Sequence, residues 1–172
     1  MTAVETAILL RVPEAEPLVG RWRQRGDSSA ALGVPAHVTL LYPFVPEPDE
    51  GVIEELRWMF RGVDAFELTF SAIGQFPQVV YLAPEQGEQC QQLTAALARR
   101  WPDCPPYGGE FDEVVPHLTV VDSEDEQLRA RACAEVPRGL PVRSTAQQAS
   151  LWVRDDGGRW SELAAFPLAA GG

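Results

Sequence analysis

Pro35-Ala36-His37-Val38-Thr39-Leu40 and Val115-Pro116-His117-Leu118-Thr119-Val120 contain the only two histidines of a 172-residue chain, and each histidine is followed two positions later by threonine. The chain has seven threonines, so chance would place one after both histidines with a probability of roughly 0.002, well below that of an ordinary short motif. On a strand, residues i and i+2 project from the same face. His37 and Thr39 then point one way, and Val38 and Leu40 point into the core. The same holds for His117 and Thr119.

Working outward from the first motif, 7–12 is a short apolar run closed by Pro13 and reads as a buried strand. Residues 14–25 suit a short helix with Leu18 and Trp22 on one face, and a second strand is expected over 36–44. Val52, Ile53, Leu56, Met59 and Phe60 fall at helical spacing within 49–60. Strands at 66–73 and 79–83 follow.

The second half repeats this order. A helix over 87–101 has Cys90, Leu93, Leu97 and Trp101 on one side, a Pro/Gly-rich loop spans 102–109, and the second motif lies on a strand expected over 114–122. Ser123 to Glu126 fits a capping box opening another helix. Strands at 140–144 and 149–154 precede a turn, Asp155-Asp156-Gly157-Gly158, and a last strand at 159–168. The expected fold is α+β: a duplicated, bilobal arrangement of two antiparallel-rich sheets with outer helices and a central cleft. With no flexible linker between the halves, residues 1–172 are expected to form one compact domain, with lobes at about 1–78 and 79–172.

Composition narrows the function classes. The net charge is −11, and all 14 basic residues are arginine. That disfavours an extended nucleic-acid or anionic-membrane surface, which needs dense positive charge, but leaves room for a small anion held by local groups. No apolar run approaches a membrane span and no signal-peptide pattern opens the chain, so a cytoplasmic protein is expected, and a monomer. Cys90, Cys104 and Cys133 are odd in number and form no C-x-x-C pair, which argues against a disulfide framework or structural zinc.

Two His/Thr pairs facing each other across a cleft suit a phosphodiester. In-line displacement at phosphorus needs a base on the attacking oxygen and an acid on the leaving oxygen, and two imidazoles supply both near neutral pH. The threonine hydroxyls are candidate donors to the non-bridging oxygens, with no metal or other cofactor required.

The paired H-x-T motifs, about eighty residues apart, together with Gly33-Val34-Pro35-Ala36-His37-Val38-Thr39-Leu40-Leu41-Tyr42-Pro43-Phe44, resemble the 2H phosphoesterase superfamily and its bacterial 2′-5′ RNA ligase-like branch. The resemblance implies a bilobal fold and metal-independent chemistry on 2′,3′-cyclic phosphates or 2′-5′ linkages in a small nucleotide or RNA end. It implies His37 and His117 as acid and base, and Thr39 and Thr119 as phosphate ligands. The first strand, Ile8-Leu9-Leu10-Arg11-Val12, departs from the family's R-x-F-x-A pattern.

Other residues carry open readings. Tyr42 and Phe44 are candidates for stacking on a base or for core packing. Arg11 and Arg154 are candidate phosphate contacts. Arg21, Arg23 and Arg25 read as a solvated face. Two other function classes stay in view: a nucleotide-binding module with the same cleft but no turnover, and a thiol hydrolase using one of the cysteines.

Overall fold

A computed structural model describes residues 5–170. In chain order the elements are β1 (Glu5–Arg11), α1 (Glu16–Gly26), α2 (Ser28–Ala31), β2 (His37–Leu41), α3 (Glu50–Arg61), β3 (Phe66–Phe76), β4 (Val79–Pro84), α4 (Gly87–Arg100), β5 (Leu118–Asp122), α5 (Glu126–Glu135), β6 (Val142–Ala146), β7 (Gln148–Arg154) and β8 (Trp160–Pro167). The strands form two four-stranded antiparallel sheets, ordered β2-β1-β7-β8 and β5-β4-β3-β6. The architecture is therefore α+β and bilobal, as the repeated element order predicts.

The sheets do not follow the halves of the sequence. β3 and β4 flank position 78 and pair with each other across a tight turn in which Gln78 has φ 66°, while the C-terminal β7–β8 hairpin joins the first sheet through β1. Local hairpin closure and the reach of β7 back to β1 decide membership, so boundaries at 1–78 and 79–172 cut through the second sheet. Among the described residues no helix is long and apolar enough to cross a membrane.

Alternation along the strands sorts each sheet into a core face and a second face. In the first sheet Ile8, Leu10, Val38 and Leu40 are buried in one large cluster that also takes Leu68, Phe70, Val80 and Leu82 from the second. On the opposite face Ala7, Leu9, Val34 and Trp152 form a smaller cluster with Tyr42 and Trp160. Helix α3 covers β8, with Phe60 stacked on Phe166 at 5.8 Å. Asp49 caps that helix by accepting from Val52 N–H at 2.9 Å, a contact worth about 1 kcal/mol. Helix α4 packs on β2, and Thr94 Oγ1 donates to the Leu40 carbonyl at 2.7 Å, pinning the strand that carries the first motif. Helix α1 crosses to the second sheet and lies on β5, where a Cβ at Gly26 would meet Val121 at 2.9 Å.

Several boundaries differ from the sequence expectation, β3 running on to Phe76 and β6 spanning Val142–Ala146 among them, and three have a local cause. β2 ends at Leu41 because the Tyr42 carbonyl accepts from Tyr107 N–H (2.6 Å) instead of from the ladder. β5 begins only at Leu118: Pro116 has no N–H, the Val114 carbonyl accepts from Gln91 Nε2, and the Val115 carbonyl is taken by His117. Helix α5 is capped by Asp125, which accepts from Leu128 N–H at 3.1 Å, while Ser123 Oγ only accepts from Asp125 N–H, so no capping box forms at Ser123. The turn at 155–158 is as expected, with Gly158 in the left-handed region at φ 87°.

Candidate active site

His37 opens β2, and the peptide before it is held from two sides. Ala36 N–H donates to Glu16 Oε1 of α1 at 2.6 Å, and the Ala36 carbonyl accepts from Val12 N–H at 2.9 Å. Across the ladder Arg11 stands opposite His37 and Leu9 opposite Thr39, so these four side chains share the face away from the main core. His117 stands just before β5, with Thr119 opposite Tyr81 of β4.

The two imidazoles are anchored alike. His37 Nδ1 donates to the Pro35 carbonyl at 2.7 Å, and His117 Nδ1 to the Val115 carbonyl at 2.7 Å. A hydrogen bond from Nδ1 fixes the tautomer and leaves Nε2 of each ring as the atom that takes up or releases a proton. Both rings are half-buried. Burial pushes the His37 pKa down to about 4; the hydrogen bond to Pro35 and the Asp27 carboxylate oppose this, and Arg23 and His117 reinforce it. His117 is also lowered by burial, opposed by its bond to Val115 and by Asp122. His117 thus lies close enough for its charge to act on His37, and β2 packs beside β5.

The surroundings of the two rings differ. His37 and Thr39 line a cavity of about 150 Å³ together with Ala7, Leu9, Ser29, Val34, Tyr42, Tyr107 and Trp160. Tyr42 lies 6.5 Å from Tyr107 and 6.4 Å from Trp160, centroid to centroid, so three aromatic rings enclose one end. His117 and Thr119 are not part of that wall. Instead His117 meets Phe76 edge-on at 5.2 Å and Tyr81 at 5.6 Å, and these two rings stack on each other at 4.4 Å. Tyr81 lies flat over Gly74, its cross-strand neighbour, where a Cβ would come within 2.3 Å of Cζ.

The remaining candidates divide. Tyr42 faces the cavity, whereas Phe44 is buried against Trp101 at 5.1 Å and is a core residue. Arg11 is exposed and lines a separate groove with Thr145, Gln147 and Gln148. Arg154 is committed to Glu5 at 3.0 Å, and Glu5 in turn acts on the Tyr42 hydroxyl, so its role here is to brace the aromatic wall. Cys90 is buried in the core, with its thiol pushed up to about 11 by burial. Arg23 corrects the reading of a solvated arginine face: it is 2% exposed.

Sequence reasoning missed Ser29, Tyr107 and Trp160 in the cavity and the Phe76–Tyr81 seat of His117. Tyr107 sits in a loop without periodicity. Gly74 did hold a signal, since a glycine inside a strand marks a bulge or a close approach.

Compared with known families, residues 11–158 match the model of the 2′-5′ RNA ligase superfamily. No curated protein matches the sequence. Among solved structures the chain is similar to LigT of E. coli, determined in complexes with NADP+ and with 3′-AMP, at 18% identity and a TM-score of 0.58 over 98% of this chain and 99% of that one. It is also similar to the protein TT0787 of Thermus thermophilus, at 18% identity and a TM-score of 0.56 over 97% and 99% of the two chains. At such identities the likeness is one of fold.

Proposed function

Since the chain belongs to the 2′-5′ RNA ligase superfamily, we propose that it is a metal-independent phosphoesterase that hydrolyses a nucleoside or RNA 2′,3′-cyclic phosphate, with His37 and His117 as its acid and base. The observation that carries this reading is the matched pair of half-buried imidazoles. Each is tied through Nδ1 to a backbone carbonyl two residues upstream, and each has a threonine two residues on.

In the reaction one imidazole takes a proton from water through Nε2 as the water oxygen bonds to phosphorus. The other, protonated, gives its proton to the ribose oxygen as the P–O bond of the cyclic ester breaks. The product is a phosphomonoester, and the two histidines have exchanged protonation states. Thr39 and Thr119 donate to the non-bridging oxygens, where charge grows in the transition state. Among the described residues no group of three or more His, Cys, Asp and Glu side chains converges as a metal site requires.

The cavity beside His37 has a lining suited to the base of a nucleoside, with apolar walls and three aromatic rings. LigT of E. coli has been determined with 3′-AMP bound, a nucleotide with its phosphate on the ribose side that a 2′,3′-cyclic ester would occupy. With a 5′-hydroxyl in place of water the same groups would form a 2′-5′ linkage, so ligation is the related activity to assay.

The test is incubation of the wild type with each of the four 2′,3′-cyclic mononucleotides in EDTA, with products resolved by phosphorus NMR. Conversion to a nucleoside monophosphate is expected. Binding without conversion of any of them would instead make the protein a nucleotide-binding module, and activity lost to EDTA and restored by zinc would overturn the mechanism.

A further inference from the structure

Helix α1 ends in a buried charged pair that reaches Ser29 of α2. Arg23 Nε donates to Asp27 Oδ2 at 3.1 Å, and the side chains of both residues are at least nine-tenths buried. Asp27 Oδ1 accepts from Ser29 N–H at 3.1 Å and from Ser29 Oγ at 2.8 Å, and Arg23 Nη2 donates to Ser29 Oγ at 3.3 Å. Ser29 is in turn part of the cavity wall that includes His37 and Thr39. Two buried charges and a hydroxyl therefore form one closed network whose outer member touches the proposed reaction space.

A buried ion pair is poor evidence for stability, because desolvation offsets most of the attraction, and its presence beside a candidate site needs another reason. We propose that the Arg23–Asp27 pair, tied through Ser29 to the cavity wall, is a positioning element for His37: a fixed cation and anion against which the imidazole takes up and returns its proton. Arg23 disfavours imidazolium and Asp27 favours it. Asp27 also acts on Asp122 at the end of β5: burial first, and Asp27 second, hold the Asp122 carboxyl above its usual range, while His117 opposes that shift. Asp27 is thus felt by both His37 and Asp122.

Other groups around His37 are Arg11, across the ladder on β1, Glu16, bound to the preceding peptide from the first turn of α1, and His117. Tyr42 and Tyr107 also share its cavity wall. Asp27 acts on Asp122, which acts on His117, so the His117 midpoint is followed in the same spectra and a change in His37 is assigned to the pair where His117 moves less. The inference rests on His37 being the proton-transfer group of the proposed reaction, but its test does not require turnover.

With only two histidines in the chain, the imidazole Cε1–H signals can be assigned by comparison with H37A and followed by proton NMR as pH is varied. Asp27→Asn removes the anion and leaves Arg23 unopposed, so the His37 midpoint should fall; Arg23→Gln should raise it. Each displacement should be about one pH unit. Opposite shifts support the assignment, whereas unmoved midpoints or shifts in the same direction overturn it. If a single variant does not fold, Ser29→Ala is titrated instead, because it cuts the pair's link to the cavity wall while both charges stay. The His37 midpoint should then move from its wild-type value, and an unmoved midpoint overturns the proposal. A wild type that converts no cyclic nucleotide would sink the proposed reaction while leaving these shifts to be judged on their own.

Discussion

Gly74→Ala isolates the seat of His117. Gly74 sits opposite Tyr81 in the β3–β4 ladder, and an added Cβ would lie 2.3 Å from Tyr81 Cζ, 2.5 Å from Oη and 2.6 Å from Cε2, against an ordinary carbon contact of about 3.5–4.0 Å. Gly74 does not have a positive φ, so alanine suits the backbone and the conflict lies with the ring alone. The half-buried Tyr81 can yield by rotating off the strand, and the cost is then what the ring loses: its stack on Phe76 at 4.4 Å and its edge contact with His117 at 5.6 Å.

Two aromatic contacts at about 0.5–1.5 kcal/mol each, less the roughly 0.5–1 kcal/mol that alanine gains over glycine in a strand, leave a net loss of about 1 kcal/mol. For a chain of this size that lowers Tm by about 2–4 °C. Urea and thermal unfolding followed by circular dichroism would measure it, and a double-mutant cycle with Tyr81→Ala attributes it. With the ring gone, Gly74→Ala should be neutral or slightly stabilising. An equal loss in both backgrounds would refute the reasoning. Freed from its seat, His117 should also lose alignment, with kcat/KM falling by up to about 100-fold.

Other consequences can be checked directly. His37 binds its proton at about 4 in the folded protein against 6.5 in the unfolded chain, so between those values the unfolded state holds more protons and stability declines as pH falls from about 6.5 to 4. The contribution is at most about 3 kcal/mol and should be absent in H37A. A plateau from pH 7 down to 4 in the wild type, with the same curve in H37A, would contradict it. Inorganic phosphate, an anion placed near both rings, should raise both histidine midpoints in NMR titrations; midpoints indifferent to phosphate would argue against a shared anion site. Trp160→Ala should raise KM for a cyclic nucleotide about tenfold or more with a smaller change in kcat, and equal KM values would remove the cavity as the base site. Iodoacetamide at pH 8 should leave Cys90 unmodified in the native protein, because burial raises its thiol to about 11, and should leave activity intact; inactivation that tracks labelling would favour thiol chemistry.

The parts of the fold that were readable in the sequence are those governed by periodicity. The helix over 50–61 and the alternation of His37 and Thr39 against Val38 and Leu40 follow from spacing alone, and burial agrees. What escaped was set by partners distant in the chain. The β7–β8 hairpin belongs to the first sheet because β7 pairs with β1, a contact that no local pattern announces. Tyr107 enters the His37 cavity from an irregular loop in which it and Gly108 adopt left-handed φ values of 51° and 66°. Arg23, between Arg21 and Arg25, is indistinguishable in sequence from a solvated arginine, and only the packing of α1 on β5 turns it inward. Phe44 and Tyr42 are two residues apart, yet one packs in the core and the other faces the cavity; the ladder has already ended at Leu41, and strand alternation no longer applies.

The central claim is that His37 and His117 act as one acid–base unit on a cyclic phosphodiester. Its most direct test is the kcat/KM of H37A, H117A and H37A/H117A on the 2′,3′-cyclic mononucleotide that the wild type converts fastest, with folding of each variant checked by circular dichroism. Each single substitution should reduce kcat/KM by about 10²–10⁴, and the double variant should lose little more than either single one. A folded single variant that keeps more than about a tenth of wild-type kcat/KM would contradict the account.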